Sequence, residues 1–63
     1  MRLGHQIMQA RKKAGMTQAA LARKTGTAQS NISRLERGDY NPSLGFLQKI
    51  AKAIGAKIKI QFG

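Results

Sequence analysis

Sixty-three residues allow a single domain with one modest core, and below roughly 70–80 residues such a core supplies only about 3–5 kcal/mol. The chain has no cysteine, which excludes disulfides and thiolate metal sites, and its apolar runs fall far short of the roughly 20 residues that span a bilayer. Twelve Lys and Arg against two acidic residues leave a formal charge of +10, the balance expected of a nucleic-acid binder, because each phosphate neutralised by a cation releases condensed counterions.

Glycines and capping residues divide the chain into five segments. Leu3, Ile7, Ala10 and Ala14 repeat at helical spacing and predict a first helix from Leu3 to Ala14, closed by Gly15. Thr17 is a good N-cap for a second, Gln18 to Lys24, with Leu21 and Ala22 as its inward pair and Gly26 at its end. Thr27 is the expected cap of a third, Ala28 to Arg37, closed by Gly38. Asp39-Tyr40-Asn41-Pro42 reads as a loop, since Pro42 disfavours helical geometry at Asn41. Ser43 caps a fourth helix, in which Leu44, Leu47, Ile50, Ala51 and Ile54 form an apolar stripe ending at Gly55. From Lys57 to Phe62 polar and apolar residues alternate, the period of a half-buried strand. A lone strand leaves its backbone donors and acceptors unpaired, so Ile58, Ile60 and Phe62 are expected in a strand paired with its counterpart in a second copy; a frayed tail on a monomer is the alternative. Residues 1–55 thus read as the domain and 56–63 as a dimerisation segment.

The order Gln18, Leu21-Ala22, Gly26, Ile32, Leu35 fits two short helices crossing steeply around a tight turn. Ala22 is small where the helices must approach, and Gly26 tolerates the positive φ of such a turn. The stretch Thr17-Gln-Ala-Ala-Leu-Ala-Arg-Lys-Thr-Gly-Thr-Ala-Gln-Ser-Asn-Ile-Ser-Arg-Leu-Glu-Arg-Gly38 resembles the helix-turn-helix of the phage repressor/Cro family, and so does Asn-Pro-Ser-Leu-x-x-Leu-x-x-Ile-Ala-x-Ala-Ile-Gly from Asn41 to Gly55. The resemblance covers Leu3 to Gly55 and implies a compact four- or five-helix domain and dimeric binding to palindromic operators. The family usually adds a fifth helix where Ala56 to Phe62 has strand character, a departure that resembles its small antitoxin members. The fold expected is all-α: a four-helix repressor-like domain with a short C-terminal β-strand paired across a dimer.

A helical wheel assigns the roles within the third helix. Ala28, Ile32 and Leu35 share the inward side, while Ser30, Ser33, Arg34 and Arg37 fall opposite, with Gln29 and Asn31 at the margins. A helix in the major groove needs such a hydrogen-bonding, cationic face. Gln29 suits adenine, Arg34 suits guanine N7 and O6, and Ser30 is short enough to meet any base; Asn31 and Ser33 are assigned to a base or to the backbone. The alternative is an ordinary solvated face. Phosphate contacts are expected at Gln18, where the helix dipole favours an anion, with Thr17 secondary and Arg37 and Asn41 gripping the far side. The Gln18 side chain is also free to brace Gln29 or reach a base.

A carboxylate on this surface would repel phosphates. The resemblance implies that Glu36 pairs with an arginine of the first helix, here Arg11; otherwise it is a surface residue screened by lysines. Asp39 reads as a plain loop residue. His5 has no second ligand at i+3 or i+4, and neither paired carboxylates nor a nucleophile–base set is present, so no metal, cofactor or catalysis is expected. Met8, Met16 and Phe46 read as core margin. These features together predict a cytoplasmic homodimeric repressor on a double-stranded DNA operator, with no membrane partner. A more specific version is the antitoxin of a toxin–antitoxin operon, which adds a cognate toxin as partner. The rival from another class is a basic RNA-binding or ribosome-associated protein, disfavoured because none of the three aromatic residues lies on the outward face of the third helix. A protein–protein adaptor is disfavoured by the polar, cationic character of that face.

Overall fold

The computed structural model describes residues 2–55. Four helices follow in order: α1 Arg2–Lys13, α2 Gln18–Thr25, α3 Gln29–Arg37 and α4 Leu44–Ile54. The segment with strand character, including Ile58, Ile60 and Phe62, lies outside the described residues. α3 packs against both α1 and α2, and α2 also packs against α4. A single apolar cluster joins all four: Ile7 from α1, Leu21 and Ala22 from α2, Ile32 and Leu35 from α3, and Leu47 and Ile50 from α4. Ile7, Leu21, Ile32, Leu35 and Ile50 are completely buried, each contributing roughly 1.5–3 kcal/mol relative to an exposed side chain. Leu3, Met16, Tyr40, Phe46, Ala53 and Ile54 pack around its edge.

Local chemistry explains the boundaries. The Thr17 hydroxyl accepts from the Ala20 N–H at 3.0 Å, and the Ser43 hydroxyl accepts from the Phe46 N–H at 3.1 Å, so α2 and α4 both begin on side-chain caps. At the end of α2, Gly26 turns through φ 72°. The Thr27 N–H then donates back to the Ala22 carbonyl at 2.9 Å, closing the helix and aiming the chain into α3.

Because that closure engages Thr27, α3 starts one residue later than its spacing suggests, and Ala28 is an N-cap without a side-chain hydrogen bond. The Thr27 hydroxyl instead accepts from Asn31 Nδ2 at 2.9 Å. Ala28, expected to face the core, is exposed because it precedes the first helical turn. Ala14 is exposed too: its N–H bonds both the Ala10 and Arg11 carbonyls, at 3.0 and 3.1 Å, as α1 unwinds into the turn. Leu44 fits the apolar spacing but is 60% exposed, the buried positions of α4 being Leu47 and Ile50.

One close approach had no signal in the periodicity. Gly4 is buried in α1, and a Cβ there would lie 2.8 Å from the Glu36 carbonyl oxygen and closer still to that of Leu35. The missing side chain is what lets α1 rest on the last turn of α3.

Candidate nucleic-acid interface

α3 has two faces set by its own sequence. Ile32 and Leu35 anchor it at 0% exposure, and with that side fixed the 3.6-residue period turns Gln29, Ser30, Arg34 and Arg37 to solvent. Asn31 and Ser33 are half-buried at the margins, and Asn31 is tied by its amide to Thr27. Exposed Thr17 and half-buried Gln18 stand at the start of α2, and exposed Asn41 follows α3. Helix geometry leaves the N–H groups of Gln18 and Ala19 without intrahelical acceptors.

Behind this surface lies an ion pair. Arg11 Nε donates to Glu36 Oε2 at 2.7 Å and Nη2 to Oε1 at 3.2 Å, while Nη1 donates to the Met16 carbonyl at 2.7 Å. The two side chains are 9% and 3% exposed, so the only acidic group on α3 is turned away from solvent and neutralised. Gln18 Nε2 donates to the same carboxylate, at 3.0 Å from Oε1. The Gln18 side chain thus engages Glu36 here rather than bracing Gln29. A carboxylate with a free lone pair, next to the start of α2, is a stronger acceptor than a neutral amide. No buried side-chain nitrogen or oxygen among the described residues lacks a partner.

The three arginines on or beneath α3 differ in what holds them. Arg11 has all three guanidinium nitrogens engaged. Arg37 Nε lies 3.6 Å from an Asp39 carboxylate oxygen, both side chains being more than half exposed, an arrangement worth little in water. Arg34 sits over the Tyr40 ring, with Cζ 6.0 Å from its centroid. Tyr40 in turn meets Phe46 edge to face, with centroids 6.0 Å apart. This aromatic pair is a feature that sequence reasoning missed; its only trace was a tyrosine in the loop after α3.

Positive charge extends beyond α3. Arg23, Lys24, Lys49 and Lys52 surround a shallow depression between the end of α2 and α4, so the field of the domain is positive on more than one side. His5 is exposed on α1, and the described residues hold no group of three His, Cys, Asp or Glu able to bind a metal. No helix among them is long and apolar enough to cross a membrane.

Comparison with known proteins agrees with this architecture. A helix-turn-helix family pattern matches residues 7–60. The chain is 46% identical over 56 residues to an uncharacterized HTH-type transcriptional regulator of Archaeoglobus fulgidus, covering 89% of this chain and 80% of that protein. It is 36% identical over 63 residues to the immunity repressor protein of Bacillus phage phi105, covering all of this chain and 44% of the repressor. Identity to the HTH-type transcriptional regulator SinR of Bacillus subtilis is 37% over 57 residues, or 89% of this chain and 51% of SinR. No solved structure matches the chain.

Proposed function

The chain belongs to the helix-turn-helix family of the phage repressor/Cro type, and from that premise we propose that it is a sequence-specific DNA-binding regulator of transcription that represses by occupying an operator. The observation that carries the reading is the division of α3, in which Gln29, Ser30 and Arg34 are exposed while Ile32 and Leu35 are wholly buried. Docked in the major groove, that helix presents an amide for adenine at Gln29, a guanidinium fork for guanine at Arg34 and a short hydroxyl at Ser30. Asn31 and Ser33, at the edges of the face, fall to the flanking base or backbone.

Phosphates are met on both sides. The start of α2 supplies the free N–H groups of Gln18 and Ala19 at the positive end of a helix dipole, with Thr17 as a secondary contact, and Arg37 and Asn41 supply the other side. Such contacts set register and much of the affinity while carrying little sequence information. Arg11 and Glu36 touch no DNA in this scheme; their role is to lock α1 to α3.

The operator reading requires two copies, with recognition helices about 34 Å apart, one turn of B-DNA. Residues 56–63, with Ile58, Ile60 and Phe62 on one side of an alternating pattern, are the segment proposed to pair the copies, and 1–55 the DNA-binding part. The work is done where the chromosome is, in the cytoplasm. Selection of bound sites from random duplexes tests the proposal: a palindrome with half-site centres about 10 base pairs apart is expected. Enrichment of no duplex sequence, or stronger binding to single-stranded or A-form RNA, would overturn it.

A further inference from the structure

The geometry points to Tyr40 as a positioning residue that holds Arg34 ready to read its base pair. The inference rests on the groove-docking of α3 proposed above and adds a specificity determinant outside that helix.

An exposed arginine samples many rotamers, and fixing it on a base edge sacrifices that freedom on binding. Arg34 is exposed, yet its guanidinium lies over the Tyr40 ring. The ring is itself held, because Tyr40 is half-buried and meets Phe46 at an interplanar angle of 73°, and Phe46 packs on the core. A chain of contacts therefore runs from the core through Phe46 and Tyr40 to the guanidinium of Arg34.

The kind of restraint matters. Carboxylates and carbonyls hold Arg11 by occupying its N–H donors, and such an arginine has little left for a base. Attraction to the face of an aromatic ring asks for no hydrogen-bond acceptor, and the planar guanidinium keeps its donor fork for the two acceptors of guanine. No hydrogen bond or ion pair to another described residue engages the Arg34 guanidinium. Among the arginines of this surface it alone combines restraint with unoccupied donors.

The test measures relative affinities for operators carrying each of the four bases at every half-site position, once the preferred site has been selected. Arg34→Ala identifies the position that Arg34 reads, with a loss of about 5- to 100-fold in preference there. Tyr40→Leu, which keeps apolar bulk against Phe46, is expected to reduce preference at that same position by about 2- to 5-fold, the equivalent of an exposed cation–π contact, and to leave other positions unchanged. Tyr40→Phe should retain the wild-type profile. Two results overturn the inference alone: an unchanged preference in Tyr40→Leu where Arg34→Ala removes it, or a Tyr40→Leu loss spread evenly over all sequences. If Arg34→Ala changes no base preference, the reading of α3 fails and the inference goes with it. Thermal melts of each variant separate these outcomes from loss of fold.

Discussion

Arg11 and Arg34 carry the same guanidinium into opposite circumstances on two helices, α1 and α3, that pack together. Arg11 is buried against a carboxylate and a carbonyl beneath α3, with three donors committed and its Glu36 partner nearly inaccessible. Arg34 stands on the outer face, resting on a tyrosine with its hydrogen-bonding capacity open. The first arrangement makes α1, α2 and α3 one body, since Gln18 shares the same carboxylate. The second leaves a reactive edge pointing at solvent. One residue type thus closes the fold at Arg11 and, in the proposed docking, reads a base at Arg34, and what separates the two settings is whether a counter-charge is within reach.

The largest effect is expected at the ion pair. Glu36→Ala leaves Arg11 as an unpaired buried charge, an effect of about 3–5 kcal/mol, which rivals the about 3–5 kcal/mol that a core of this size supplies. The variant is therefore expected to be largely unfolded at room temperature by circular dichroism. Replacing both partners with apolar residues, Arg11→Met with Glu36→Leu, should recover much of that loss. A Glu36→Ala melt matching the wild type would make the pair no better than a solvated one.

Next in size is the contact that lets α1 reach this junction. Gly4→Ala forces a methyl against backbone oxygens of Leu35 and Glu36, and overpacking of that kind costs about 1–3 kcal/mol. Urea denaturation should show the loss. Gly45→Ala, with nothing within 4 Å of the added carbon, should instead be neutral or stabilise α4 by up to about 1 kcal/mol.

On the outer face the expectation reverses. Arg34→Ala should cost no more than about 1 kcal/mol of folding free energy, the size of its exposed contact with Tyr40, and remove about 1–3 kcal/mol of discrimination at one base pair per half-site. Arg37→Ala sharpens the contrast with the smallest effect. Its exposed pairing with Asp39 contributes at most about 1 kcal/mol to stability, and binding should weaken alike for all sequences, with the salt slope reduced by about 1 per monomer. Uniform losses from both arginine variants would remove the division between reading and anchoring.

Much of the architecture is legible in the order of residues because its causes are local. Thr17 and Ser43 cap helices through hydroxyls three residues from the N–H groups they satisfy, and Ile32 and Leu35 are set on one side of α3 by helical periodicity alone. Ends of elements are less legible. Thr27 has the chemistry of an N-cap, yet its backbone closes α2 and its hydroxyl receives Asn31, so α3 begins after Ala28. Leu44 fits the apolar stripe of α4 by spacing, but spacing does not reveal where a helix first meets its neighbour. A buried hydroxyl such as that of Thr25, which donates to the Leu21 carbonyl at 2.8 Å within its own helix, is likewise compatible with an exposed position until the packing is known.

Four helices, their closing turns and the two-faced character of α3 thus follow from interactions within about one helical turn, which any short window of the chain contains. The placement of Gly4 on the carbonyls of α3, the sharing of Glu36 between Arg11 and Gln18, and the support of Arg34 by Tyr40 and Phe46 arise only when distant segments are docked. Those contacts depend on distances across helix interfaces, where an ångström decides between a hydrogen bond and none, and no periodicity in the chain encodes them.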